Sequence, residues 1–166
     1  GVYPMMINKD HPLASVRDAF NAVFIHGDAV DDAMFYGRGA GEMPTASAVV
    51  GDVIDVARDL EHGCTGRISC TCYKELPVKE WGEVKNAFFI RMQVKNQPGV
   101  LAAIAQVFGE HKVSIARVVQ EHTQPETAEL VIVTEKVKEK YMESALKELE
   151  SLDRIYEISS VIREYA

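Results

Sequence analysis

Residues 88–119 decide the fold of the C-terminal half and read FFIRMQVKNQPGVLAAIAQVFGEHKVSIARVV. In residues 88–95, apolar side chains recur at every second position, which predicts a half-buried strand. From residue 100 onward the apolar positions are spaced so that they form one stripe along a helix. Residues 113–119 return to alternation and predict a second strand. The strand positions are Phe88, Ile90, Met92 and Val94, and the helical stripe consists of Val100, Leu101, Ile104, Val107 and Phe108.

The rest of the C-terminal half continues this order. After a turn at residues 124–126, residues 130–133 predict a third strand, residues 141–152 a second helix and residues 154–162 a fourth strand. The order is therefore β-α-β-β-α-β. Because each β-α-β half crosses right-handedly, both helices lie on one face of a four-stranded antiparallel sheet, which is the ferredoxin-like arrangement.

The opposite face of this sheet has no predicted helix to cover it. Apolar side chains nevertheless fall at alternation positions that point toward that face or toward a sheet edge: Phe89, Val118, Val131 and Val133. Contiguous apolar surface usually marks an interaction site, and a second copy of the domain is the economical cover. We therefore expect a homo-oligomer that forms through this sheet.

The loop after the first strand, residues 95–101, reads KNQPGVL. Asn96 can cap a helix, Pro98 suits a first helical turn, and Gly99 allows close backbone approach. These features describe a good helix start. They also describe a ligand site, because amide N–H groups at a helix N-terminus bind carboxylates and the Asn96 side chain can both donate and accept. On the residues alone, both interpretations stay open.

This region resembles the ACT domain family. The resemblance is carried by residues 96–101 (NQPGVL) and 109–115 (GEHKVSI) within the predicted element order, and it covers residues 87–166. ACT domains bind small metabolites, most often amino acids, at paired-domain interfaces and regulate the enzyme to which they are attached. The resemblance implies a ligand site between the loop of one copy and the second strand of a partner copy. The implied ligand-binding residues are Asn96, Gln97, Pro98, Gly99, Val100, Leu101, Ser114 and Ile115.

A glycine-rich string, YGRGAGEMPTASAV, occupies residues 36–49. It fails the G-x-G-x-x-G dinucleotide fingerprint because Glu42 stands at the third glycine position, and no Lys-Ser/Thr pair follows to make a phosphate loop. We interpret it as a turn leading into a helix of small residues, with Pro44 in the first turn and Thr45 and Ser47 as candidate caps. Upstream, residues 21–27 and 32–37 predict two short strands.

The longer string PLASVRDAFNAVFIHGDAVDDAMFYGRGAGEMPTASAVVGDV, residues 12–53, resembles the C-terminal end of the catalytic region of the homoserine dehydrogenase family. The resemblance implies reversible hydride transfer between NAD or NADP and the pair aspartate semialdehyde and homoserine. It further implies that the glycine-rich stretch lies beside the cofactor. The implied cofactor-binding residues are Gly37, Gly39, Ala40, Gly41 and Thr45.

The combined resemblance predicts an α+β chain in which an α/β fragment of a dehydrogenase catalytic domain precedes a ferredoxin-like ACT domain. We expect residues 1–62 to belong to the catalytic and dimerisation region, residues 63–86 to form a connector, and residues 87–166 to form the ACT domain. In the family, the dinucleotide-binding fold, the substrate carboxylates and the catalytic lysine all precede this segment. We therefore assign no catalytic residue here, and expect the chain to be an excised C-terminal fragment that is inactive by itself. Threonine, the pathway end product, is the expected effector.

The connector contains the pattern H-x-C-x5-C-x-C, formed by His62, Cys64, Cys70 and Cys72. These residues could ligate zinc, although the spacing is not a usual chelate spacing. The favoured interpretation is that Ile68, Cys70 and Cys72 share one side of a strand as small buried side chains. Three cysteines in a chain of this size do not indicate a disulfide scaffold. No metal site is therefore predicted.

Composition excludes several classes of function. The 166 residues include 18 Lys and Arg against 25 Asp and Glu, so the net charge is −7, which argues against a surface that binds nucleic acid. No apolar window is long enough for a membrane span, and the start GVYPMMINKD lacks the layout of a signal peptide, so we expect a cytoplasmic protein. The alternative hypothesis is a free-standing amino-acid-binding module without catalytic role, which predicts a complete fold for residues 1–62.

Overall fold

The computed structural model describes residues 1–64, 66, 70, 72, 74–121 and 124–165. These residues form two compact units: unit 1 comprises Gly1–Ile7 and Pro77–Ala166, and unit 2 comprises Asn8–Leu76. In chain order the elements are β1 (Met5–Met6), β2 (Phe20–Gly27), β3 (Asp31–Arg38), α1 (Glu42–Glu61), β4 (Lys85–Lys95), α2 (Val100–Glu110), β5 (Ile115–Glu121), β6 (Thr127–Thr134), β7 (Val137–Lys138), α3 (Glu139–Glu150) and β8 (Ile155–Glu164).

Unit 1 has the predicted ferredoxin-like architecture. Its sheet has the strand order β1-β8-β4-β6-β5, so the four predicted strands lie in the order fourth, first, third, second. The pairs β4–β8, β4–β6 and β5–β6 are all antiparallel. The predicted β-α-β-β-α-β order is confirmed. The sheet also contains two short strands that were not predicted: β1 pairs with β8, and β7 pairs with the start of β4.

The core of unit 1 lies between the sheet and helices α2 and α3. All four alternate positions predicted for the first strand are buried, and so is the helical stripe except Leu101, which is 45% exposed. Leu101 lies at the first turn of α2, next to the loop, where it lines a small cavity instead of the core. On α3, Met142, Ala145 and Leu149 complete the buried cluster. The alternating side chains of the strands and the apolar stripes of the helices thus pack against each other in one apolar layer.

The other sheet face carries a partly buried apolar centre. Phe89 pairs with Val133 of β6 and with Ile162 of β8, and Val119 pairs with Val131, so these side chains share one face. Val118 instead pairs with Ile132, whose side chain is buried in the core, so Val118 points to the helix side at the edge strand β5. Val119, not Val118, therefore belongs to the uncovered face.

The first seven residues of the chain belong to unit 1. Met5 and Met6 pair in parallel with Arg163 and Glu164 of β8, and the Tyr165 amide donates to the Met6 carbonyl at 2.8 Å. These residues were expected to belong with 1–62, because a two-residue strand has no detectable periodicity. The compact units of the structure therefore differ from the ranges 1–62, 63–86 and 87–166.

A buried carboxylate joins three elements of unit 1. Glu139, only 1% exposed, begins α3 and accepts two hydrogen bonds from Arg163 of β8, at 2.6 and 2.8 Å. The Asn86 side chain of β4 donates to the same carboxylate at 2.7 Å. Its hydrogen bonds to Glu139 raise the pKa of the Arg163 guanidinium, which keeps the pair charged.

Unit 2 is a β2–β3 hairpin followed by α1, and the predicted strands and helix are confirmed. Its apolar side chains are largely exposed; Val49, Val53 and Val56 of α1 are 57%, 61% and 58% exposed. In the described part of the chain, every fully buried apolar side chain belongs to unit 1. This finding argues against the free-standing module, which predicts a complete fold for residues 1–62.

The acidic residues at the turn of the hairpin in unit 2 are exposed. Asp28, Asp31 and Asp32 all lie at the surface, and Asp32 pairs with His26 at 2.7 Å. The predicted caps Thr45 and Ser47 are wrong, because α1 begins at Glu42 with Gly41 as N-cap and both residues lie inside the helix.

The connector differs from its prediction. Cys70 and Cys72 are exposed and lie outside any strand of the described residues, so they are not small buried side chains. Ile68, the third member of that alternation, lies outside the described residues. Hydrogen bonds to Cys72 lower the pKa of the Cys70 thiol. Among described residues, no group of His, Cys, Asp and Glu is arranged to hold a metal ion. In the same part of the chain, no helix combines the length and apolarity needed to cross a membrane.

The Glu139 cluster yields a stability prediction. Glu139→Ala leaves the Arg163 guanidinium and the Asn86 amide without their shared acceptor, and we expect the free energy of unfolding to fall by about 3 kcal/mol. Urea denaturation measures the change. The matched control is Glu150→Ala, an exposed glutamate at the end of the same helix, for which we expect a change of less than about 0.5 kcal/mol. Equal losses in the two variants would contradict the assigned role of Glu139.

Candidate functional site

The loop between β4 and α2 lines a small cavity in unit 1. Six of the eight predicted ACT ligand residues, 96–101, line it together with Val94, Lys95, Gln120 and Leu130. The cavity has a volume of about 200 Å³, below the roughly 300–1,000 Å³ typical of sites for drug-sized ligands. Its size therefore suits a ligand no larger than a free amino acid.

Neighbouring strands hold this loop in place. The Asn96 amide donates to the Glu126 carbonyl at 2.9 Å, and the Asn96 side chain donates through Nδ2 to the Gln124 carbonyl at 2.8 Å. On the other side, Arg154 donates through Nη1 to the Gly99 carbonyl at 2.8 Å. The loop is thus fixed to β6 and β8 before any ligand binds, which lowers the entropy cost of binding.

The helix start differs in detail from the prediction. Asn96 does not cap α2, because its side chain bonds across to Gln124, and the N-cap is Gly99. Gly99 has φ +84°, a left-handed conformation that favours glycine. In the part of the chain that the structure describes, no side chain bonds to the first amides of α2 as a cap. The Val100 amide donates to the Gln97 carbonyl at 3.4 Å, so the amides of Leu101 and Ala102 are the ones from which a carboxylate at the helix end can accept.

Ser114 and Ile115 do not line this cavity. They lie at the start of β5, whereas Gln120, which does line it, lies near the end of the same strand. Ile115 also packs partly against the core. Within one copy, the two segments that the ACT resemblance assigns to the ligand are therefore at opposite ends of β5.

Unit 2 contains an open hollow at the start of α1. Four of the five predicted cofactor residues, Gly39, Ala40, Gly41 and Thr45, line it, and further residues of α1 complete it: Glu42, Ala46, Val49 and Val50. Gly37, the fifth predicted residue, does not line this hollow. It lies in a separate depression of the hairpin with Asn21 and Phe35.

Glycine is required in this hollow for two different reasons. At Gly39, a Cβ would lie 1.6 Å from Nδ2 and 2.6 Å from Cγ of Asn21, so the Asn21 side chain occupies the space that any other residue would need. Gly41 has φ +131°, which residues with a side chain rarely adopt, and this conformation turns the chain into α1. Glycine at position 39 therefore makes room for the Asn21 side chain, and glycine at position 41 allows the turn into α1.

Sequence reasoning missed several residues that shape the two sites. Asn21 was included only in a predicted strand, and nothing in the sequence marks its contact with Gly39. Phe20 stacks on Tyr36 at 4.8 Å, and the Arg38 guanidinium lies over the Phe20 ring at 4.9 Å, so an aromatic pair supports the base of the glycine-rich turn. Arg154 was likewise missed, because its role depends on a contact 55 residues away in sequence.

Comparisons with known proteins identify two family regions in the chain. A family model described as homoserine dehydrogenase matches residues 1–54, and a model described as ACT domain matches residues 88–154. The homoserine dehydrogenase of Mycobacterium tuberculosis strain H37Rv is 40% identical over 167 residues, which cover 98% of this chain and 38% of that protein. The homoserine dehydrogenase of Synechocystis is also 40% identical and covers 98% of this chain and 39% of its own length.

A solved structure extends this similarity to the fold. The crystal structure of a homoserine dehydrogenase from Thiobacillus denitrificans matches with a TM-score of 0.83 at 31% identity, over 97% of this chain and 37% of that one. The chain thus spans less than two fifths of the length of these relatives. Both matches to family models lie where the sequence resemblance placed them. The chain belongs to the homoserine dehydrogenase family, of which it carries the end of the family region joined to an ACT domain.

Proposed function

We propose that this chain forms the C-terminal part of an NAD(P)-dependent enzyme that interconverts homoserine and aspartate 4-semialdehyde under amino-acid feedback. The observation that carries the proposal is the 40% identity to homoserine dehydrogenases over 98% of the chain, across both units. In this proposal the hollow of unit 2 lies beside the redox cofactor, and the cavity of unit 1 binds the effector.

In this proposal the hollow of unit 2 receives the nicotinamide end of the cofactor, which supplies the hydride chemistry. The chain's own residues orient the ring. Ala40 and Gly41 leave the backbone at the start of α1 open to one face of it, while Val49 and Val50 exclude water from its edge. The described residues contain no dinucleotide-binding fold, and we propose that the chain alone has no activity.

Activity measurements test this proposal directly. We expect no NADPH or NADH oxidation by the 166-residue chain in the presence of aspartate semialdehyde, because it lacks the groups that bind the adenosine half and the substrate. The polypeptide translated from the whole reading frame that contains the chain should oxidise one of the two cofactors. Inactivity of that polypeptide with both cofactors would refute the enzymatic proposal.

The contact between Gly39 and Asn21 gives a sharper test. In the active polypeptide, Gly39→Ala forces the Asn21 amide out of its place and into the hollow, so we expect kcat/KM for the cofactor to fall about tenfold or more. The second change Asn21→Ala removes the colliding group and should restore part of the loss. The control is Gly51→Ala, in α1, where an added Cβ meets nothing within 4 Å. A Gly39→Ala enzyme as active as the Gly51→Ala enzyme would exclude this hollow as the ring site.

For the cavity of unit 1 we propose threonine as the effector. Its carboxylate would accept from the first amides of α2, with Lys95 and Arg154 supplying positive charge nearby. Asn96 already uses its Nδ2 donor for Gln124, so its Oδ1 is the atom left to accept from the ligand's ammonium group.

A partner copy would complete this site. Ser114 and the loop lie at opposite ends of the edge strand β5, which is the order that a two-fold antiparallel pairing of two β5 edges needs to bring the partner's Ser114 near this loop. We therefore propose that the chain pairs with a second copy. The apolar centre of the uncovered sheet face, around Phe89 and Val131, supports the same proposal as a second surface for association.

Calorimetric titration with threonine tests the effector proposal. We expect binding heat for the dimeric chain at millimolar ligand, and Ser114→Ala should weaken the affinity about tenfold, the scale of one hydrogen bond to a charged ligand group. The matched control is Ser144→Ala, an exposed serine on α3, which should leave the affinity unchanged. Absence of heat for a confirmed dimer would count decisively against threonine.

A further inference from the structure

The strap, defined as residues 1–7, adds a strand to the β8 edge of the ACT sheet. Its backbone pairing is short, with Met5 and Met6 as the two paired residues. Its Tyr3 ring meets Trp81 edge-on at 5.4 Å. A two-residue ladder anchored by one aromatic side chain makes an element of low local stability, one that opens more readily than the central strands.

Arg163 connects this strap to the core of unit 1. Its guanidinium lies 4.5 Å from the Tyr3 ring centre and 5.1 Å from that of Trp81, while its N–H groups bind the buried Glu139. Arg163 is therefore held by the core from one side and presents its face to the strap on the other. Movement of the β8 end would alter both contacts together.

The same strand reaches the effector cavity at its other end. Arg154, immediately before β8, holds the Gly99 carbonyl of the ligand loop, and its own carbonyl accepts from the Lys95 amide at 2.9 Å. Between the two ends, the β4–β8 register shifts twice, at Arg91/Met92 and at Gln93/Val94. Such irregularities interrupt the regular ladder and bend the strand locally, so no continuous ladder joins the two ends of β8 to β4.

We propose that strap docking and occupancy of the ACT cavity are coupled through β8. A ligand that fixes the loop fixes Arg154, holds β8 in one register and thereby tightens the strap on Arg163. Since unit 2 is inserted in the chain between Ile7 and Pro77, the strap is one of its two covalent connections to the ACT unit. The inference deepens the proposed feedback function and rests on it for the identity of the effector.

Amide hydrogen exchange of the 166-residue chain tests this coupling without any ligand. The Tyr165 amide reports on the strap, because it donates to Met6, and the Lys95 amide reports on the cavity end, because it donates to Arg154. In Tyr3→Ala we expect both amides to exchange about fivefold faster, the scale of one aromatic contact. The Ile90 amide in the centre of β4 should be unchanged, which excludes global loss of stability. Val2→Ala is the matched control, since Val2 is in the strap and fully exposed.

The outcomes separate the strap, the coupling and the effector. Faster exchange at Tyr165 alone would overturn the coupling, and unchanged exchange at both amides would overturn the strap itself. Acrylamide quenching of Trp81, the sole tryptophan, gives a second measure of strap docking and should increase in Tyr3→Ala. Threonine that binds should slow the Tyr165 amide, and binding without this effect would overturn the coupling. Absence of calorimetric heat with threonine refutes only the effector, because the Tyr3→Ala comparison still decides the coupling.

Discussion

The architecture of unit 1 depends on one buried carboxylate, which must be paired. Glu139 is almost completely buried, and burying an unpaired charge costs several kcal/mol. Arg163 and Asn86 satisfy it, so the start of α3, the end of β8 and the start of β4 must meet at one point. Burial of the apolar layer favours a compact state but does not determine how the strands are arranged, because the hydrophobic effect is not directional. The pair of Glu139 and Arg163 does specify which strand ends come together. The strap docks on the outer side of the same arginine.

Unit 2 has the opposite character. Its strands and helix are well formed, yet its valines are more than half exposed, and the fully buried apolar side chains of the described residues all lie elsewhere. A hairpin and one helix cannot enclose a core of their own, because each presents a single apolar face. In relatives more than twice as long as this chain, further residues are available to cover such faces. The open hollow at Gly39 and Gly41 lies on the same unit, which fits a surface that works against another part of a larger enzyme.

Hydrophobic periodicity made the fold of unit 1 predictable. The strap and the contacts of Asn96 and Asn21 could not be predicted from the neighbouring sequence. The alternation at Phe88, Ile90, Met92 and Val94 reflects burial directly, so this strand and its buried face follow from the sequence. The strap could not be found this way, because two residues have no period. Asn96 was a plausible cap on local grounds, but a distant carbonyl, that of Gln124, competes for its side chain. The position of Asn21 against Gly39 depends on the hairpin register, which local sequence does not express.

The two candidate sites have the same kind of helix start but differ in the charge of the first helical turn. Both use a glycine with positive φ as N-cap, Gly41 for α1 and Gly99 for α2, and neither helix has a side-chain cap among the described residues. Each therefore offers amides at a positive helix end. The first turn of α1 contains Glu42, which repels anions, whereas the first turn of α2 contains no acidic residue. The α2 site is thus suited to a carboxylate. At the α1 hollow the Glu42 carboxylate belongs to the lining, so this helix start disfavours phosphate and other anions.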